Sequence, residues 1–144
     1  LDFPREGNGW SYHYCRRQWS LADNPALKYP WLGAFDRAML ETGKSHDLPG
    51  PSRPENLWMD HAAKILCVRR GELVFVFNLS VDQSRVDFEF PVPGSGAYRL
   101  VLDTDSRAFG GHGRVDASLE YPVSPDGKLT LYSPARTALV FAPV

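Results

Sequence analysis

A run of five apolar residues, Leu73-Val-Phe-Val-Phe77, constrains this chain most tightly. Val and Phe are good strand formers, and neither Gly nor Pro interrupts the run. It is too short for a typical helix and is bounded by turn chemistry, Arg70-Gly71 before it and Asn78 after it. Apolarity that is continuous rather than alternating means that both faces are covered. Gly71–Asn78 therefore reads as the central strand of a two-layer β domain.

Short strand patterns surround it. Leu57–Asp60 precedes it, and Ile65–Arg69 with Glu72–Asn78 forms a tight hairpin about Arg70-Gly71. Val86–Val92 alternates, which predicts Val86, Phe88 and Phe90 inward and Asp87 and Glu89 outward. Tyr98–Asp103, Ser118–Val123, Leu129–Ser133 and Thr137–Ala142 follow, with a long turn over Thr104–Asp116. Asp126-Gly127 is a hairpin signal between two of these strands. The expected fold is mainly β, an antiparallel β-sandwich of about eight strands preceded by a short α-helical segment.

That segment occupies residues 1–43. Leu1–Gly9 reads as a loop, and Ser11 as the N-cap of a helix from Tyr12 to about Leu21. Tyr12, Cys15 and Trp19 share one face of it. Asn24-Pro25 starts a single turn, and Pro30 forces a fresh helix start. From Trp31 the pattern is amphipathic, with Leu32, Phe35 and Met39 on one face and Gly43 ending the helix. This face needs a partner larger than anything else in the first 54 residues. Residues 44–54 hold Pro49, Gly50, Pro51 and Pro54 and read as a linker, leaving 55–144 as the β-sandwich domain.

The formal charge of −1 gives no electrostatic case for nucleic acid or an anionic membrane as a partner. No apolar run approaches the ~20 residues of a membrane span, and no signal peptide is expected. Two cysteines, Cys15 and Cys67, lie far apart in unlike contexts, a pattern that suits reduced, buried thiols in a cytoplasmic protein. The chain opens at Leu1 rather than Met, as expected of a piece of something longer.

Groups that could carry chemistry are few. Glycoside chemistry needs two carboxylates in a cleft, and the candidates are Asp2 with Glu6 and Asp103 with Asp105. Neither pair stands at the end of a parallel strand, and Asp103-Thr-Asp-Ser106 reads as a turn bonding its own backbone. Phe109-Gly-Gly-His-Gly-Arg114 lacks the Gly-Lys-Ser/Thr ending of a phosphate cradle and reads as a glycine-rich loop. His13, His46, His61 and His112 lack metal-ligand spacing, so no metal and no cofactor is expected. Cys15 and His13, two residues apart on a helix, do not face each other. Asn78-Leu79-Ser80 is a glycosylation sequon by letter only.

Leu1-Asp-Phe-Pro-Arg-Glu-Gly-Asn8, followed by Trp10-Ser-Tyr-His-Tyr-Cys-Arg-Arg-Gln-Trp19, resembles the end of the catalytic barrel of 1,4-α-glucan (glycogen or starch) branching enzymes. The resemblance continues through Asp23-Asn-Pro25, Phe35-Asp-Arg-Ala-Met39, Leu73–Asn78, Val101-Leu-Asp-Thr-Asp105, Phe109–Arg114 and Ser133-Pro-Ala-Arg-Thr-Ala138. It implies that residues 1–43 are the last loop and helix of a (β/α)8 barrel, and that 55–144 are the C-terminal all-β domain of the α-amylase superfamily. Members of the family cleave an α-1,4-glucan, hold it as a covalent glycosyl-enzyme and pass it to a 6-hydroxyl. The catalytic carboxylates lie upstream, so no catalytic residue is assigned here and the chain alone is expected to be inactive. Asp2, Arg5, Asn8 and Tyr12 are the residues the resemblance offers for lining the glucan cleft, on the active-site side of the barrel. Its implied partners are α-glucan through the parent enzyme and, within the molecule, the barrel itself. A second copy of the chain is the other expected partner for the helix face. Pro30 and Leu79-Ser-Val81 depart from the family's pattern. The alternative reading is a stand-alone carbohydrate-binding β-sandwich, with Trp58, Tyr98, Tyr121 and Tyr132 as stacking aromatics.

Overall fold

The computed structural model describes residues 3–15, 19–48 and 50–144, without the side chains of Tyr14 and Trp19. Eight strands among these residues form an antiparallel β-sandwich, preceded by helical segments. The strands are β1 (Glu55–Asp60), β2 (Ile65–Arg70), β3 (Leu73–Asn78), β4 (Arg85–Pro91), β5 (Ala97–Asp103), β6 (Glu120–Pro122), β7 (Lys128–Ser133) and β8 (Thr137–Pro143). One sheet runs β1-β2-β3-β8-β5-β6; β4 and β7 pair as the second.

The third of six strands, β3 lies in the interior of its sheet, as its apolar run requires. Its two faces serve two cores. Val74 and Val76 pack between the sheets with Cys67, Phe90, Leu129, Leu139 and Phe141. Leu73 and Phe75 pack on the outer face with Val140, Ala142, Val101, Leu102 and Leu48. The hairpin from β2 to β3 pairs Arg70 with Leu73, leaving the two-residue loop Gly71-Glu72. Gly71 takes the positive φ of 60° that such a tight loop needs.

Three strand-level expectations need correction. Val86 is 73% exposed rather than inward. A bulge between Arg85 and Phe88, with Asp87 at φ 51°, breaks the alternation. The sixth strand is shorter than Ser118–Val123, because Asp116 Oδ1 accepts both the backbone N–H and the hydroxyl of Ser118, holding that residue in a turn. Asp126-Gly127 does make a turn, but β6 pairs with β5 and β7 with β4, so the turn crosses between sheets.

Before the strands, Asn24 caps a single turn through Ala26 N–H to Oδ1 at 2.9 Å. The main helix, α2, then spans Tyr29–Ser45 with Pro30 in its first turn, where a missing N–H is harmless. Of the expected helix Tyr12–Leu21, the described parts are a 3-10 turn at His13–Cys15 and a helical turn, α1, at Trp19–Ala22. The end of α2 also differs from expectation. Gly43 lies inside the last turn, and Asp47, at φ 49°, takes the left-handed position. Leu48 N–H donates to Gly43 O at 2.9 Å and Asp47 N–H to Lys44 O at 3.4 Å, a Schellman closure.

Residues 46–53 carry contacts to the sandwich. Leu48 enters the outer core, His46 Nδ1 and Glu72 Oε1 lie 2.5 Å apart, and Arg70 Nε donates to Ser52 O at 3.3 Å. Pro49 lies outside the described residues.

Candidate functional site

Four residues were singled out by sequence. Asp2 lies outside the described residues. Arg5 and Asn8 are brought together by a 3-10 turn, Glu6–Asn8. The Asn8 side chain accepts the Arg5 backbone N–H at 2.9 Å and donates to Phe3 O at 3.1 Å. Its carboxamide thus shapes the loop. The Arg5 guanidinium crosses Gly7 so closely that a Cβ there would meet Nη1 at 2.8 Å. Tyr12 stands apart from that turn and is 74% exposed.

The sequence's second carboxylate pair has a different task. Asp103 and Asp105 are both buried. Asp103 Oδ1 accepts the Asp105 N–H at 2.7 Å, the backbone-bonded turn that its sequence predicts. Asp105 takes a forked contact from Arg114, with Nε to Oδ2 at 2.8 Å and Nη2 to Oδ1 at 3.2 Å. The backbone N–H groups of His112 and Arg114 complete its shell. The guanidinium holds the Asp105 carboxyl well below the usual range, at about 2, whereas burial pushes Asp103 up. A carboxylate bonded on every side anchors the loop and has no lone pair aimed at a substrate.

What the loop anchors is the helix, a role the sequence reading missed. Phe35 of α2 meets Phe109 edge-on, with ring centroids 5.5 Å apart. The Trp31 ring lies over Gly110, where a Cβ would come within 2.3 Å of it. Gly111 faces the Asp105 backbone as closely, at 2.2 Å. The glycine doublet was the available signal: two adjacent positions where only hydrogen fits. Helix α2 consequently splits its apolar surface. Ala34, Phe35 and Ala38 turn toward the sandwich, while Tyr29, Leu32, Met39 and Leu40 are 43–62% exposed.

Other polar candidates resolve similarly. Asn78 is fully buried, and its amide donates to Gln83 O and Ser133 O, each at 3.0 Å. The sequon asparagine is a core fastener in this fold. Burial pushes the Cys67 thiol up to about 12, which leaves it inert, while Cys15 is half-buried. Of the four aromatics considered for sugar stacking, Tyr98 is buried with its hydroxyl on Pro93 O, and Tyr121 and Tyr132 are half-buried. Trp58 is 43% exposed.

The family model of the alpha amylase C-terminal all-beta domain matches residues 58–144. The chain belongs to this family. The match begins within β1, so α2 and everything before it lie outside the family domain proper. Relatives extend across that part too. The 1,4-alpha-glucan-branching enzyme of Yarrowia lipolytica is 41% identical over 149 residues, covering 99% of this chain and 22% of the relative. That of Rhizophagus irregularis is 38% identical over 149 residues, again 99% and 22%. The chloroplastic/amyloplastic enzyme of Oryza sativa subsp. japonica is 41% identical over 127 residues, covering 88% and 16%. The chain therefore spans about a fifth of the length of these relatives. No helix among the described residues is long and apolar enough to cross a membrane.

Proposed function

We propose that this chain is the C-terminal portion of a glycogen or starch branching enzyme, and that its sandwich braces a catalytic barrel carried by the longer protein. On this reading residues 1–43 are the last loop and helix of the barrel, 44–54 join it to the brace, and 55–144 are the brace. The longer protein would cut an α-1,4-glucan and transfer the segment to a 6-hydroxyl. The nucleophile and acid/base would come from upstream strands, so the chain alone is inactive. Its compartment is proposed to be the cytoplasm, as for a chain whose two cysteines, Cys15 and Cys67, lie far apart in sequence and whose Cys67 thiol is buried.

The observation that carries this is the second apolar face of α2. Tyr29, Leu32, Met39 and Leu40 form a strip beside the face already docked on the sandwich. A helix that packs on two sides joins two bodies. Similarity to branching enzymes over 99% of the chain supports a catalytic barrel as the second body. Arg5, Asn8 and Tyr12 stand in the segment before the helix, and Asp2 belongs with them in sequence, where the barrel's glucan cleft is expected. A homo-oligomer formed through the same strip is the competing use of it.

The test compares the chain with the longer protein on linear amylose, following α-1,6 linkages by proton NMR. Branching by the longer protein alone is expected. A longer protein that forms no α-1,6 linkage overturns the reading, and so does sedimentation that shows a dimer through the strip with no barrel to cover.

A further inference from the structure

Two open strand edges converge at one end of the seam between the sheets, and each carries a bulge there. Strand β1 is an edge of the larger sheet and shifts register between Asn56 and Trp58. Strand β4 has only β7 as a neighbour and shifts register between Arg85 and Phe88. Bulges re-aim side chains. Trp58 stands opposite Cys67 and Asp60 opposite Ile65, and both partners are core residues. Trp58 and Asp60 therefore leave β1 on the core-facing side, at its open flank. Across the seam, Arg85 stands opposite Ser133 and Phe88 opposite Leu131.

Between these edges lies an open cavity of about 420 Å³, with Trp58, Asp60, Arg85, Phe88 and Glu89 in its lining. That volume is within the range of small-molecule sites. Arg85 Nη2 donates to Gln83 Oε1 at 3.2 Å, yet its buried Nε has no hydrogen-bond partner among the described residues. The buried hydroxyl of Ser133, its cross-strand partner, also has none among them. Orphaned polar atoms are uncommon in folded proteins, and two on one register pair call for an explanation.

The arrangement is a half-exposed indole with a guanidinium and the Asp60 carboxylate in the same lining; Asp60 Oδ1 accepts the Ala63 N–H at 2.8 Å, and the Glu89 carboxylate turns away to Thr130 Oγ1 at 3.4 Å and Lys128 Nζ at 3.9 Å. A pyranose ring matches that chemistry, because it has a flat C–H face for an aromatic plate and a rim of hydroxyls that both donate and accept. A nucleic acid would bring phosphates against Asp60 and Glu89. A peptide adding a strand would meet two bulged edges. We propose that this seam mouth is a surface subsite for linear α-1,4-linked glucan, with a sugar ring on Trp58 and its hydroxyls bonded to Arg85 and Asp60. The choice of α-glucan over other sugars rests on the function proposed above. A subsite on the brace would keep a long acceptor or donor chain near the enzyme without taking part in bond cleavage.

Heteronuclear NMR titration of the 144-residue chain with maltoheptaose tests this, with cellohexaose as the stereochemical control. Saturable shifts are expected at the Trp58 indole and along β1 and β4, with a millimolar dissociation constant. Trp58→Ala is expected to weaken binding about tenfold or more. Trp58→Phe keeps an aromatic plate and should recover part of the affinity. Arg85→Lys keeps the charge but loses the fork of guanidinium donors, and should weaken binding severalfold. Absence of saturable shifts around Trp58 overturns the subsite, as do shifts that survive Trp58→Ala or that are matched by cellohexaose. These results are independent of the branching assay. A longer protein that branches amylose while the seam stays silent would sink the subsite and spare the function.

Discussion

Asp105 shows how one side chain fixes a loop. Its folded pKa, at about 2, lies below the ordinary unfolded value of about 3.9. Its contribution to stability is therefore complete above about pH 5 and disappears as the pH falls through about 2. The shift corresponds to roughly 2 kcal/mol at neutral pH. Asp103 works in the opposite sense: burial raises its pKa and the Asp105 charge adds to the rise, so Asp105→Asn relieves part of it while removing the larger stabilisation that Arg114 gives Asp105. Urea unfolding of the two proteins should show a gap near neutrality that closes in acid. A gap that stays constant with pH would mean that the Arg114 contact is not what anchors the loop. Asn78 offers a second test at this scale. Asn78→Ala strands the buried Ser133 carbonyl and Ser80 N–H along with the part-buried Gln83 carbonyl, and is expected to cost about 2–4 kcal/mol. An unchanged urea midpoint would contradict that account.

At the scale of elements, α2 is held by few contacts, so its docking can be loosened without unfolding the sandwich. Gly110→Ala pushes a methyl into the Trp31 ring at φ 76°, with an expected cost of about 1–3 kcal/mol. Hydrogen exchange should rise across residues 29–45 and stay unchanged in β3 and β8; uniform acceleration would mean that helix and sandwich unfold as one. The strands themselves were legible in sequence, because turn residues and apolar runs mark them locally. The bulge in β4 was not. Arg85-Val-Asp-Phe-Glu-Phe90 alternates faultlessly, and only its pairing with β7 throws Val86 outward. Nor was the docking of α2 legible. The helix pattern showed a wide apolar face, but which half meets the sandwich depends on a glycine doublet more than seventy positions later. Arg5 and Asn8 meet in a short turn within the expected loop, and hydrogen bonds within a loop do not reveal a ligand.

For the whole molecule, the central question is how the sandwich is joined to what lies beyond it. Leu32 is 62% exposed, so Leu32→Asp should change the stability of this chain by no more than about 0.5 kcal/mol. In the longer protein the same change would bury a charge against the barrel and lower its melting temperature by many degrees. Equal melting curves for the two longer proteins would remove the barrel from the argument. Residues 46–53, which composition marks as a linker, act mechanically as a strap: Leu48 plugs the outer core and His46 meets Glu72. A truncation that begins at Ser45 keeps both contacts, whereas one that begins at Glu55 leaves Leu73, Phe75, Val101 and Leu102 uncovered by Leu48. The first should melt several degrees above the second, since about 1 kcal/mol moves a domain of this size by roughly 4–8 °C. If the two melt together, the strap adds nothing and the sandwich is a free module. If they differ, the strap is part of the outer core, and the helix that precedes it is coupled mechanically to the sandwich.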